Sequence, residues 1–478
     1  MESMRCVACS RVIETESLDP VCDRCGSAVV LEDKTVPEIG KSRLDSIPSG
    51  VWRFASLLPA VNSANVVTLG EGGTPLLRAE RLGEDLGLRN LMIKDESRNP
   101  TGSFMDRGTT VLLSLAKQRG IKECLCVTTG NLGASLAAYC AKAGIDARLR
   151  IHPGTDRGKL YQMLAYGADI ESSTAPTFPN KKGSLSVTAG NPYLIEGEKT
   201  TGFEIAQDLG WRTPDVIVVP VGTGGHLSTI WRALSILREA GLVGKSECRL
   251  LGVQVKGTNP DAPDGVRARA RSEPGDPLLA ELEGSFPYFQ NEATKAIGES
   301  GGSRMTTTVA QTVEATRLLA TTEGIFAEPT SASVVAAARE AVRRGLVARS
   351  ETVVCVITGA GLKDTRTVAR LARETRRVAM GGAYSIPTPK IGETKVALLR
   401  LLSLRPSYGY ELWLKIGSEK KMSTASIYQH LSELESFALV RKSGPIVSGG
   451  RQRVIYELTG RGVDFLKLSG RLEPSDIG

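Results

Sequence analysis

Cys6-Val7-Ala8-Cys9 and Cys22-Asp23-Arg24-Cys25 are two CxxC knuckles separated by twelve residues. Thiolates at this spacing close a tetrahedral site and leave no position for water, which is the chemistry of structural zinc. A module this small cannot bury enough apolar surface to fold without its metal. Three other stretches suit anions. Lys94-Asp95-Glu96-Ser97-Arg98-Asn99-Pro100-Thr101-Gly102-Ser103-Phe104-Met105-Asp106-Arg107-Gly108 is a turn rich in glycine and polar side chains that runs into a helical pattern near Thr109, so the unpaired N–H groups of a first helical turn point outward. Thr128-Thr129-Gly130-Asn131-Leu132-Gly133-Ala134-Ser135 follows an apolar run, and its hydroxyls and N–H groups can grip a carboxylate. Taken alone, it reads better as a plain strand-to-helix turn. Val218-Val219-Pro220-Val221-Gly222-Thr223-Gly224-Gly225-His226 empties a strand pattern into glycines, whose freedom at positive φ lets successive N–H groups face inward around a phosphate. Only three histidines are present, His152, His226 and His430. They leave little room for a histidine triad, so any catalysis must rest on a cofactor or on other side chains.

These stretches need a scaffold. The 478 residues exceed one hydrophobic core, and 41% hydrophobic with 23% charged residues is an ordinary globular composition. No apolar run of about 18 residues occurs, and residues 1–10 lack an apolar signal core, so a cytoplasmic protein with no membrane partner is expected. Nine cysteines, an odd number, fit metal ligation plus isolated thiols better than a disulfide framework. Trp52-Arg53-Phe54 reads as a packing anchor ahead of the main domain. Apolar runs at 90–93, 124–127, 147–151, 216–220, 249–255 and 352–357 alternate with longer helical patterns. That alternation predicts an α/β fold, a parallel sheet in two lobes with the ligand cleft between them.

The stretch at 94–108 closely resembles the cofactor segment of threonine synthase, a pyridoxal phosphate (PLP) enzyme of the tryptophan synthase β-like class, fold type II. The resemblance extends to Leu69-Gly70-Glu71-Gly72-Gly73-Thr74-Pro75-Leu76, to Asn191-Pro192-Tyr193-Leu194-Ile195-Glu196-Gly197-Glu198-Lys199-Thr200, to Glu328-Pro329-Thr330-Ser331-Ala332-Ser333 and to Thr358-Gly359-Ala360-Gly361-Leu362-Lys363-Asp364, in the family's order. It implies the family reaction, conversion of O-phospho-L-homoserine and water to L-threonine and phosphate. It also implies cofactor contacts from Asn131 to the phenolic oxygen, from Gly222, Thr223, Gly224 and Gly225 to the phosphate, and from Thr358 to the pyridine nitrogen. Ser103, Thr128, Thr129, Gly130 and Lys159 are the implied substrate contacts, and Cys6, Cys9, Cys22 and Cys25 match ribbons that precede some microbial members. Two positions depart from the pattern: Met105 stands where the family has the Schiff-base lysine, and Ala360 where it commonly has histidine. Residues 257–300 align poorly, which leaves substrate identity open.

Beyond a basic run at 366–377, the Gly/Pro-containing segment 381–389 reads as a linker. Residues 390–478 carry 14 Lys/Arg against 9 Asp/Glu, five of the net eight positive charges. Helical patterns begin near Thr394, Tyr408 and Ser423, the last with Ser423 as N-cap, and residues 439–443 and 451–458 read as a hairpin. This is a winged-helix pattern, and it resembles PadR-type transcriptional regulators through Tyr408-Gly409-Tyr410-Glu411-Leu412 and Tyr456-Glu457-Leu458-Thr459-Gly460-Arg461-Gly462. The implied DNA contacts are Ser426, Tyr428, Gln429, Arg441, Lys442, Arg451 and Arg453, and paired half-sites imply a homodimer. The expected division is therefore 1–33 zinc ribbon, 34–380 PLP domain, 381–389 linker and 390–478 winged helix.

A thioether can act neither as a nucleophile toward an aldehyde nor as a proton shuttle. Three accounts of Met105 follow. In one, the cleft holds PLP non-covalently and senses an amino acid or phosphorylated amino acid, with double-stranded DNA binding as output. In another, position 105 was mutated or misread and the natural protein is an active synthase. In the third, Lys94, Lys159 or Lys363 supplies the amine. A rival reading from another class is a non-catalytic assembly protein.

Overall fold

In a computed structural model, the described residues are 2–32, 40–128, 130–151, 155–173, 178, 183–244, 247–256, 288–365, 371, 392–420, 422–437, 439–448 and 451–468. The chain divides into two compact units, Met1–Val378 and Ala379–Gly478.

The first unit opens with a small antiparallel sheet of β1 (Glu2–Cys6), β2 (Val12–Thr15) and β3 (Val29–Leu31), ordered β2-β1-β3. Next come β4 (Leu76–Arg78), β5 (Asn90–Asp95), β6 (Glu123–Thr128), β7 (Asp146–Ile151), β8 (Asp169–Ser172), β9 (Ser184–Val187), β10 (Val216–Pro220), β11 (Arg249–Val255), β12 (Ser303–Thr307) and β13 (Thr352–Ile357). They build two sheets. One has six strands, ordered β12-β11-β10-β13-β5-β4, parallel except for the β4–β5 pair. The other has four parallel strands, ordered β8-β7-β6-β9.

The strand pattern explains the layers. In β10, Val216 and Val218 join a core on one face of the six-stranded sheet, while Ile217 and Val219 join a core on the other. A strand buried on both faces reads as a continuous apolar run, which is why β10, β11 and β13 stand out in the sequence. The strands without such a signal are polar: β8 is mostly exposed and β12 alternates exposed and buried residues at a sheet edge. The Trp52 region forms a 3-10 turn, with Phe54 buried 5.1 Å from the Phe203 ring and the Trp52 indole donating to Thr110 Oγ1 at 2.9 Å.

The helix that carries position 105 spans Met105–Gln118 and is buried from Asp106 to Ala116. It packs against the Pro192–Glu198 helix so closely that a Cβ at Gly108 would strike the Leu194 backbone, and one at Gly197 the Arg107 carbonyl. Behind its first turn, Arg107 is fully buried and forks onto Glu96 (2.5 and 2.7 Å) and Glu204 (2.8 and 2.6 Å). Lys94 adds ion pairs to Glu204 and Asp208, each 2.9 Å. Every buried charge in this group has an opposite partner, without which its desolvation would be prohibitive. Opposing carboxylates hold Arg107 charged despite burial, and its guanidinium together with Lys94 lowers Glu204.

The second unit has helices Glu393–Leu404, Gly409–Lys420, Thr424–Ser436 and Gly460–Leu468, with β14 (Ser407–Tyr408), β15 (Val440–Ser448) and β16 (Arg451–Leu458) ordered β14-β16-β15. Leu399, Leu412, Ile427, Leu431 and Tyr456 join in its core. Ser423 does cap its helix, accepting from Ser426 N at 3.2 Å. The hairpin corrects the sequence expectation: β15 runs past Ser443 through Pro445 to Ser448, with a register shift between Ser443 and Pro445. That irregularity lets the strand absorb a residue with no N–H to donate.

Candidate functional site

The ribbon cysteines converge as their spacing predicts. All four Sγ atoms lie within 4.8 Å of one another, with 3.5 Å between Cys6 and Cys25 and 3.6 Å between Cys9 and Cys22. Four sulfurs at tetrahedral corners about 2.3 Å from zinc stand ~3.8 Å apart, so the donor set fits that ion. Backbone N–H groups of Ala8 and Cys9 point at Cys6 Sγ (3.4 and 3.5 Å), as expected around a thiolate ligand.

The stretches around Met105 and Thr358 also come together. Gly102, at φ +80°, turns the chain so that Ser103 pairs with Gly359 in an isolated bridge. Phe104 N donates to Thr358 O (3.1 Å) and Ala360 N to Gly102 O (2.9 Å), so the turn before Met105 is stitched to the end of β13. Asp106 fixes the same turn by accepting from Thr101 N (2.7 Å), Thr101 Oγ1 (2.6 Å) and Ser135 Oγ (2.6 Å). Met105 is the first residue of its helix, half-buried against the core of the four-stranded lobe.

The glycine cup joins through a ring stack. Phe104 lies over His226 with centroids 4.2 Å apart and planes 12° from parallel. Burial lowers His226 to about 4, so the ring is neutral at pH 7, with Nε2 3.1 Å from Thr201 Oγ1. The cup sits before the Gly225–Glu239 helix, with Gly224 at φ +89° and Phe289 backbone filling the space a Cβ would need. Phe289 N donates to Thr223 O at 2.8 Å and Gln290 Nε2 to Gly222 O at 2.7 Å, which spends the carbonyls outward.

Asn131 begins the Asn131–Ala143 helix and donates its Nδ2 to Glu328 Oε2 at 2.8 Å. The other Glu328 oxygen pairs with Lys159 Nζ at 2.8 Å, both side chains nearly buried. Gly130 lies against the Lys159 stem and Gly359 against Glu328 and Asn131. Thr358 Oγ1 is 2.7 Å from Ser331 Oγ. Thr128 is turned inward: its Oγ1 accepts from Gly130 N and Gly133 N, both at 3.1 Å. Thr129 lies outside the described residues. The resemblance puts the Glu328 segment at the cofactor site but implies no role for Glu328 itself. A carboxylate directly before a helix-starting proline was the only hint; its pairing with Lys159 and Asn131 exists only in three dimensions.

The polar groups left over here are of the kind PLP would satisfy. Ser103 Oγ and Asn131 Oδ1 are buried with no hydrogen-bond partner among the described residues, and buried polar atoms rarely stay unpaired. Lys94 is spent on Glu204, Asp208 and the Thr74 carbonyl, and Lys363 donates to Thr101 O at 2.7 Å.

In the second unit, Tyr428 and Gln429 are exposed on the Thr424–Ser436 helix, and Gln429 Nε2 lies 3.4 Å from Glu433. Arg441 pairs with Glu457 (2.9 Å) and Lys442 with Glu435 (2.7 Å). The side chains of Arg451 and Arg453 lie outside the described residues.

Comparison with known proteins agrees with this architecture. A family model for pyridoxal-phosphate dependent enzymes matches residues 67–359, and one for the PadR-like family of transcriptional regulators matches 398–468. The chain belongs to the pyridoxal-phosphate dependent enzyme family and carries a PadR-like domain at its C-terminal end. The particular relatives it resembles over most of its length are threonine synthases. That of Methanocaldococcus jannaschii is 33% identical over 390 residues, 78% of this chain and 96% of that protein. That of Methanosarcina acetivorans is 35% identical over 390 residues, 78% of this chain and 95% of that protein. Among solved structures, maize serine racemase superposes with TM-score 0.51 at 18% identity, covering 64% of this chain and 93% of that one. At that identity the likeness speaks to the fold alone. Among the described residues, no helix is long and apolar enough to cross a membrane.

Proposed function

We propose that the chain is a threonine synthase-like scaffold that binds PLP without a covalent bond, senses an amino acid or phosphorylated amino acid in its cleft, and reads double-stranded DNA as a homodimer through its winged helix. The division into ribbon (1–33), PLP domain (34–380), linker (381–389) and winged helix (390–478) belongs to this proposal. The observation that carries it is Met105, a thioether on the first residue of the helix that the cofactor turn opens. PLP supplies an electron sink for charge developing at the α-carbon of a bound amino acid. Around it, residues 222–225 would hold the phosphate by backbone N–H groups, Asn131 the phenolic oxygen, and Thr358, steadied by Ser331, the ring nitrogen. Ser103 and the 128–130 loop would hold the amino acid's carboxylate. Lys159 is placed beside that loop, but Glu328 keeps its ammonium paired. The Met105 thioether cannot move a proton, so turnover should fall by several orders of magnitude relative to an amine-bearing site.

The test is phosphate release from O-phosphohomoserine together with a visible spectrum in the presence of PLP. Cofactor retention that dialysis reverses, with no phosphate release at an enzymatic rate, supports the proposal. Release at an ordinary enzymatic rate would defeat it. The preserved cleft also suits a second reading, an active synthase in which position 105 is naturally lysine. A Met105→Lys chain that recovers both activity and permanent cofactor retention would fit that ancestry.

A further inference from the structure

A cavity of about 400 Å³ lies away from the cleft, between the ribbon and the four-stranded sheet. That size falls at the low end of small-molecule sites, ~300–1,000 Å³. Its walls differ in chemistry. Asp19 comes from the ribbon loop and Arg119 from the end of the Met105–Gln118 helix, while Ile121, Leu125 and Leu185 form an apolar floor. Arg119 donates one N–H to the Glu16 carbonyl and lies beside the Tyr193 hydroxyl, which leaves donors over on a five-donor guanidinium. The Asp19 carboxylate has no hydrogen-bond or ion-pair partner among the described residues.

We propose that this cavity is a second small-molecule site, built for a free α-amino acid with an aliphatic side chain. The ammonium group meets Asp19, the carboxylate meets Arg119, and the side chain covers Leu125 and Leu185. Burial raises Asp19 to about 6, and an arriving cation relieves that penalty by favouring the charged form. The walls are tied to the cleft. Leu125 lies on β6 three residues before Thr128. The Leu18 carbonyl accepts from Asn191 Nδ2 at 2.6 Å, and Asn191 caps the Pro192–Glu198 helix whose Ile195 packs against Gly225. An occupant therefore presses on both the carboxylate loop and the phosphate cup. This inference goes beyond the proposed function and does not depend on what position 105 does.

The experiment is equilibrium dialysis of labelled L-leucine against the zinc-loaded full chain without PLP. One saturable site is expected. L-Leucinamide, which lacks the carboxylate, and 4-methylpentanoate, which lacks the ammonium, should compete at least about 10-fold less well than L-leucine. Asp19→Asn and Arg119→Gln, checked for unchanged zinc content and Tm, should each weaken binding by about 10-fold or more, while Asn131→Ala should leave it intact. Absence of saturable uptake overturns the proposal. So does equal competition by both analogues, or binding abolished by Asn131→Ala and kept by the two cavity variants, which would assign the uptake to the cleft.

Discussion

At position 105, half-buried and leading its helix, a methionine fills the volume of a long side chain without its amine. Met105→Lys is predicted to make PLP retention permanent after borohydride reduction, read as a shift in intact mass. A lysine variant whose mass stays unchanged would mean that the surrounding loops have lost the cofactor geometry. Asn131 can be tested separately: Asn131→Ala should weaken PLP binding by about 10-fold or more, measured by spectroscopic titration. Glu198 offers a pH test. It is buried, and desolvation raises its carboxyl to about 8. Between its usual 4.5 and about 8 the folded chain binds a proton that the unfolded chain does not, so this residue's contribution to stability falls as pH rises through that window. Glu198→Gln should flatten that part of the slope and raise stability at pH ~9 by on the order of 5 kcal/mol, read by urea unfolding. A variant less stable than the parent at that pH would show that the carboxylate has a charged partner.

At the scale of elements, the ribbon is bound into the main body: Met4, Leu18, Cys22 and Val29 share a core with Val111 and Leu132, and Arg232 donates to the Leu31 carbonyl at 2.8 Å. Chelation or Cys22→Ser should therefore remove one zinc per chain and lower Tm by at least about 5 °C, seen by metal analysis and calorimetry. An unchanged Tm would mean that the ribbon folds and docks without metal. The ribbon was legible because ligand spacing is a local property, and β10 and β13 were legible because burial on both faces leaves an unbroken apolar run. The polar edge strands β8 and β12 were not, since they take their strand character from a neighbour. Nor was the Lys159–Glu328–Asn131 arrangement, assembled from three segments nearly 200 residues apart at the extreme. Wing charges were visible in the sequence, but not that Glu457 and Glu435 already pair with Arg441 and Lys442.

Those wing pairs bear on the behaviour of the whole molecule. Exposed ion pairs contribute about 0–1 kcal/mol, so DNA phosphates can take over Arg441 and Lys442 at little cost. Duplex binding by the full chain should weaken steeply with salt, and replacing both residues by alanine should reduce the log–log slope by about 2. Salt-independent binding, or none to any duplex, would favour an assembly role. Effector and PLP together should change DNA affinity by roughly 5- to 150-fold if cleft and winged helix are coupled. The most direct measurement uses the unaltered chain: saturate it with PLP, reduce with borohydride, dialyse, and record the intact mass. An unmodified mass together with saturable, reversible PLP absorbance is the predicted result. A pyridoxyl adduct on Lys159 or any other lysine of the cleft would contradict it.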